Sequence, residues 1–233
     1  MKENIRQMEE LQRYTDAVIR ETGEIILARK RIEEIQKNQV YTKQKFDKRL
    51  SELKKLKKET SSLELILEEA DAAASRVKEK INGAQNEKEL LAGSNELDKI
   101  NSEKDIIEEQ LLANFDKISD EEELIKEEEI SLEKNTNSDN ATLKELNERI
   151  DRLQTIKEEN QKKFEAGLLL LEPKIRSRFA KLSESKDGKA IVKMENGVCM
   201  GCNNTVPPND LSVVNSGELC ICTNCGKYLY SSR

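Results

Sequence analysis

The chain has no histidine and no tryptophan, only three prolines and nine glycines in 233 residues, and an aromatic share of 3%. Each shortage removes a class of protein. Without histidine, no Ser/His or Cys/His nucleophile pair can be built, and the commonest general acid–base side chain is missing, so no enzyme is expected. So few aromatics make a single large core improbable. So few prolines and glycines fit neither a turn-rich β fold nor a proline-rich disordered chain. The start, Met1-Lys2-Glu3-Asn4-Ile5-Arg6, lacks the roughly 7–15-residue apolar run expected of a secretory signal. No apolar run exceeds four residues, as at Leu168–Leu171, far short of the roughly 20 a membrane span needs. A cytoplasmic chain with no membrane span is expected.

What is abundant is charge. Charged residues make up 37% of the chain, against about 25% in ordinary domains. The apolar residues are spaced. Steps of seven from Leu11 meet Val18, Ile25, Ile32, Gln39, Phe46, Leu53, Thr60, Leu67, Ala74 and Ile81, nine of the eleven apolar. A companion set, with Tyr14, Ala28, Ile35, Leu56, Leu63, Ala70 and Val77, makes the spacing alternate three and four, the mark of a coiled-coil seam.

The first stop is Asn82-Gly83-Ala84-Gln85-Asn86, where Asn-Gly supplies a C-cap and Asn86-Glu87 opens a new helix. Gly93-Ser94-Asn95 is the competing turn. A second seam then runs through Leu90, Leu97, Lys104, Leu111, Ile118, Ile125 and Leu132 to Leu146 and Leu153. Two apolar stripes around one short break predict an antiparallel helical hairpin over residues 1–172, with its tip near 82–86 and arms roughly 120 Å long. Residues 135–140, Asn-Thr-Asn-Ser-Asp-Asn, are poor helix formers and suggest a loop or kink in the second arm. The acidic block Asp120–Glu129 reads as a solvated face, with a partner site as the alternative.

Pro173 ends the long helix and begins a short one to about Ser183. Residues 1–173 hold 41 acidic and 31 basic side chains, a net −10. The next stretch, 173–193, is a basic neck with Lys174, Arg176, Arg178, Lys181, Lys186, Lys189 and Lys193. Ala190–Met194 is a short strand candidate, and residues 194–233 form the last domain.

All five cysteines fall between Cys199 and Cys225. Cys199-x-x-Cys202 and Cys222-x-x-Cys225 are separated by 19 residues, a spacing that fits one four-cysteine zinc ribbon. Two-residue spacers let both sulfurs of a turn face one ion, and glycine at or after the second cysteine relaxes that turn. Four thiolates would leave no open position, so the expected Zn²⁺ is a single structural ion. Cys220 is expected in a strand before the second turn, as a small buried apolar residue.

These segments resemble a bacterial family with a long coiled-coil hairpin and a C4-type zinc ribbon. The carrying residues are Asn196-Gly197-Val198-Cys199-Met200-Gly201-Cys202, Val206-Pro207-Pro208 and Gly217-Glu218-Leu219 through Cys222-Thr223-Asn224-Cys225-Gly226-Lys227-Tyr228-Leu229-Tyr230, with Lys88-Glu89-Leu90 after the tip. The resemblance departs at Thr223, where the family has proline, and at Lys227, where it has arginine. It implies a mainly α chain with a small C-terminal β ribbon, and no enzyme. Some members are described as nucleic-acid-binding zinc-ribbon proteins. Others resemble adaptors that bind the alternative sigma factor of RNA polymerase or components of flagellar and type III secretion systems.

Two functions follow as expectations. The first is a protein-binding adaptor. The second is nucleic-acid binding (RNA or DNA), with Lys174, Arg176, Arg178, Lys181, Lys186, Lys189 and Lys193 on phosphates and Tyr228 and Tyr230 stacking on bases. A net charge of −6 opposes the second. Heptads that satisfy a hairpin look like those of a dimer, so the oligomeric state stays open.

Overall fold

The computed structural model describes residues 2–185 and 187–231. Two long helices, α1 (Lys2–Asn82) and α2 (Glu87–Leu170), are joined by residues 83–86. At the joint, Asn86 Oδ1 accepts the Glu89 N–H at 2.9 Å and Glu89 reaches back to the Gln85 N–H at 3.1 Å, a reciprocal cap of the α2 start. α3 (Pro173–Ser183) follows. The C-terminal part holds β1 (Ile191–Glu195), β2 (Val198–Cys199), α4 (Pro208–Asn215), β3 (Cys220–Ile221) and β4 (Tyr228–Tyr230). The fold is mainly α with a small four-stranded sheet. It divides into two units, Met1–Glu34 with Thr142–Arg233, and Ile35–Ala141.

In Ile35–Ala141 the seam buries Ile35, Phe46, Ala74 and Val77 of α1 and Leu111 and Ile125 of α2. Charge fixes its register. Arg49 donates to Glu121 at 2.7 Å and to Glu128 at 2.8 Å, Lys57 donates to Glu122, and Lys104 pairs with Asp71. The acidic block is therefore partly a clamp on α1, and the hydrogen bonds from Arg49 and Lys57 hold the carboxyls of Glu121 and Glu122 below the usual range. The expected break at residues 135–140 does not occur, since α2 is helical throughout. A break would cost two new helix ends and a second nucleation, more than a few poor formers cost. Gln39 also donates to Asn140 Oδ1 at 3.5 Å.

The other unit carries two apolar clusters besides the sheet's own. Ile25 and Ala28 pack on Ile150 and Leu153, flanked by the Arg149–Glu24 ion pair at 2.7 Å. Nearer the helix ends, Met8 and Leu11 of α1, Leu171, Phe179 of α3, Ile191 of β1 and Tyr228 of β4 form one core. Phe179 is wholly buried and stacks on Phe164 with ring centroids 6.4 Å apart.

The sheet has the order β2-β1-β4-β3. β1 and β2 are an antiparallel hairpin whose Asn196-Gly197 turn takes φ of 51° and 76°, as a two-residue turn of this hand requires. β1 then pairs parallel with β4, matching Ile191 to Tyr228 and Val192 to Leu229. Alternation along these strands gives the sheet two apolar faces. Ile191, Tyr228 and Tyr230 pack toward α1 and α3, while Val192, Met194 and Leu229 pack with the cysteines, Val206 and Val214.

Gln12 ties α1 to the entry of β1. Its Nε2 donates to the Gly188 carbonyl at 2.9 Å, and its Oε1 accepts the N–H of Ala190 at 2.8 Å and of Ile191 at 3.3 Å. The residue is 8% exposed, so Gln12→Leu strands buried backbone groups, and we expect it to lower unfolding stability by about 1–3 kcal/mol. Urea titration of the two proteins measures this directly.

Candidate metal centre

Each cysteine pair sits in a turn of the same construction. In the first, the Cys199 N–H donates to the Asn204 carbonyl at 3.0 Å and the Asn203 N–H donates to the Cys199 carbonyl at 2.8 Å. In the second, the Cys222 N–H donates to the Lys227 carbonyl at 2.9 Å and the Gly226 N–H donates to the Cys222 carbonyl at 2.8 Å. The position four residues after the leading cysteine is left-handed in both, at φ 59° for Asn203 and 75° for Gly226. Glycine thus fills the strained position in the second turn, as expected, whereas asparagine fills it in the first. Gly201 serves a different end. A Cβ there would lie 3.1 Å from Val192 and from the Lys227 stem, so its absence lets the first turn pack closely on β1 and the second turn.

The turns bring together the sulfurs of Cys199, Cys202, Cys222 and Cys225, all within 4.8 Å of one another. Cys199 and Cys225 are 3.8 Å apart, as are Cys202 and Cys222. These are not disulfide distances. Four sulfurs about 2.3 Å from one ion stand about 3.8 Å apart in a tetrahedron, so the spacing fits a single metal ion. Cys220 lies apart, half-buried in β3 beside the same core.

Burial raises the Cys199 thiol and pushes Cys225 up to about 12. At Cys222 burial also acts upward, yet the N–H groups of Cys225 and Asn224 on its sulfur outweigh it and bring the thiol to about 7. A cation among the four would favour thiolate at all of them. Lys227 is 8% exposed and pairs with Asp187, whose carboxyl is held at about 2 by that hydrogen bond, with the Ser185 hydroxyl and the Lys189 N–H assisting against desolvation. Arg178 donates to the Gly226 carbonyl at 2.9 Å, bracing the second turn from α3.

The basic and aromatic residues singled out in the sequence are spread over several environments. Lys174, Lys181 and Lys189 are exposed. Arg176 donates to the carbonyls of Leu169 and Leu171, at 2.6 and 2.9 Å, and so caps the end of α2. Lys193 pairs with Glu195 at 2.6 Å. Lys186 lies outside the described residues. Tyr228 is 4% exposed inside the core shared with α1, which leaves its ring no open face, and Tyr230 is half-buried against the same core. The bracing roles of Arg176, Arg178 and Gln12 have no signature in the sequence, since each depends on a carbonyl or amide brought in by distant chain.

No family model matches the chain, and no curated protein matches it either. Solved structures do. CT398 from Chlamydia trachomatis is 21% identical with all of both chains covered, at a TM-score of 0.86. A protein from Mycobacterium smegmatis is 13% identical over 98% of each chain, at 0.77. The HP0958 protein from Helicobacter pylori is 18% identical over 98% of this chain and 97% of its own, at 0.58. At these identities the likeness is one of fold alone.

Proposed function

We propose that the chain is a non-enzymatic zinc-ribbon adaptor, in which one structural Zn²⁺ fixes the ribbon and the helices present surface to protein partners. The observation that carries this reading is the set of four sulfurs within 4.8 Å of one another, two pairs of them at 3.8 Å, enough thiolates to fill a tetrahedral site. Soft four-sulfur cages suit zinc, and such a site has no vacancy for water or substrate. The helices add exposed large apolar side chains, among them Leu27, Tyr41, Leu112 and Ile130, each at least 66% exposed. Exposed apolar surface of this kind suits protein partners. The family resemblance directs the search to the alternative sigma factor of RNA polymerase and to flagellar or type III secretion components. Among the described residues no helix is long and apolar enough to cross a membrane, in keeping with work in the cytoplasm.

Affinity capture with the full metal-loaded chain, followed by mass spectrometry, tests the reading. A stoichiometric protein partner that survives nuclease treatment is expected, and capture dependent on nucleic acid contradicts it. The second reading, nucleic-acid binding by the neck, rests on Lys174, Lys181 and Lys189. If it holds, replacing all three by alanine flattens the salt dependence of duplex binding by about 0.9 per lysine on logarithmic axes. The adaptor reading expects no such affinity at about 150 mM salt, where charges are screened within about 8 Å.

A further inference from the structure

Within Ile35–Ala141 the seam gapes on one side. A groove of about 610 Å³ opens between α1 and α2, with the half-buried Leu53 and Leu56 along it and Lys45, Lys48, Lys117 and Glu128 at its rims. Among its lining residues the α1 bank is net basic, with Lys45, Lys48 and Arg49 against Glu52, and the α2 bank net acidic, with Glu121 and Glu128 against Lys117. On the α1 side, Lys48, whose Nζ lies 3.8 Å from Glu52, and Lys55 are exposed and seven residues apart, hence on one stripe. On the α2 bank, Asp120 and Glu127 are exposed and likewise seven apart, one turn on from Lys117. The ion pairs of Arg49 with Glu121 and Glu128 and of Lys57 with Glu122 set these stripes side by side, Lys48 level with Glu127 and Lys55 level with Asp120.

We propose that this groove is a docking face for a second copy of the chain. A two-fold axis parallel to the helices keeps every residue at its own level and lays α1 of one copy against α2 of the other. Lys48 then meets Glu127 of the second copy, Lys55 meets its Asp120, and each contact occurs twice. The same operation brings Leu124, 42% exposed, to within two residues, about 3 Å, of the level of Leu53 on the groove. The alternative axis, perpendicular to the helices, sets lysine against lysine and acid against acid. Charge thus selects the parallel pair. A long polyanion is the poorer occupant, because Glu121 and Glu128 line the groove opposite its basic residues and Asp120 and Glu127 flank it.

Light scattering and sedimentation of the full metal-loaded chain test this. The expected species at about 50 mM salt is twice the 26.7 kDa chain mass, and dissociation should tighten at least tenfold between about 500 and 50 mM salt. Lys48→Glu with Lys55→Glu gives monomer, and so does Asp120→Lys with Glu127→Lys. Combining all four restores the dimer, because the two banks have exchanged sign. All four side chains lie off the seam, so unchanged helical circular dichroism confirms folding. A monomer throughout, a dimer indifferent to both pairs of reversals, or a monomer that holds heparin through Lys48 and Lys55 overturns the proposal.

Discussion

Cys222→Ser is expected to abolish metal binding and unfold the C-terminal sheet while leaving the α1–α2 helical signal largely in place. Serine's hydroxyl is a poor ligand for a soft cage, and three sulfurs leave the ion open to water and competitors. Apart from the face that Ile191, Tyr228 and Tyr230 pack on the helices, little else orders this region. Its strands are two to five residues long, and its own core is a handful of side chains around the cysteines. In small zinc domains, binding free energies of about 10–16 kcal/mol act as folding free energy. The heptad seam draws on none of that. Near-ultraviolet dichroism from Tyr228 and Tyr230, with amide exchange in β1 and β4, should collapse together, and chelation of the wild type should reproduce the change. A variant that keeps its sheet without metal would show that packing alone holds the ribbon.

The second large effect separates the ribbon's internal order from its attachment. Phe179→Ala should cost about 3–5 kcal/mol, the range for truncating a wholly buried phenylalanine. Phe179 joins α1, α2, α3 and the sheet in one core, so the cavity lies where the ribbon meets the helices. The metal should stay bound, because the sulfurs and their packing partners belong to the other face of the sheet. Urea unfolding would show the lower midpoint, and metal content would stay at the wild-type level. Loss of both together would mean that the two faces of the sheet form a single cooperative unit.

These expectations show what the sequence makes legible. Heptads sustained from Leu11 to Ile81 and from Leu90 to Leu153 specify long helices, because only a 3.5-residue period keeps so many aliphatics on one stripe. The paired Cys-x-x-Cys turns are equally plain, since their spacing is the chemistry. Residues 135–140 mislead because intrinsic propensity is a small quantity beside the cost of interrupting a helix already formed on both sides. The parallel β1–β4 pair is invisible for another reason. Strands of three to five residues carry too little alternation to reveal partners or direction. The helix α4 escapes notice likewise, with eight residues and a single fully buried side chain, Val214. Gln12 reads as one more polar residue beside a seam. Only the folded chain shows that its amide is shared between Gly188, Ala190 and Ile191.

Metal analysis coupled to thiol counting on the purified full chain decides whether one zinc ion sits in a cage of four thiolates. The prediction is one zinc per chain, with Cys220 alone reacting promptly with a thiol reagent and the other four reacting only after chelation. A chain free of metal, with all five thiols equally reactive, would contradict it.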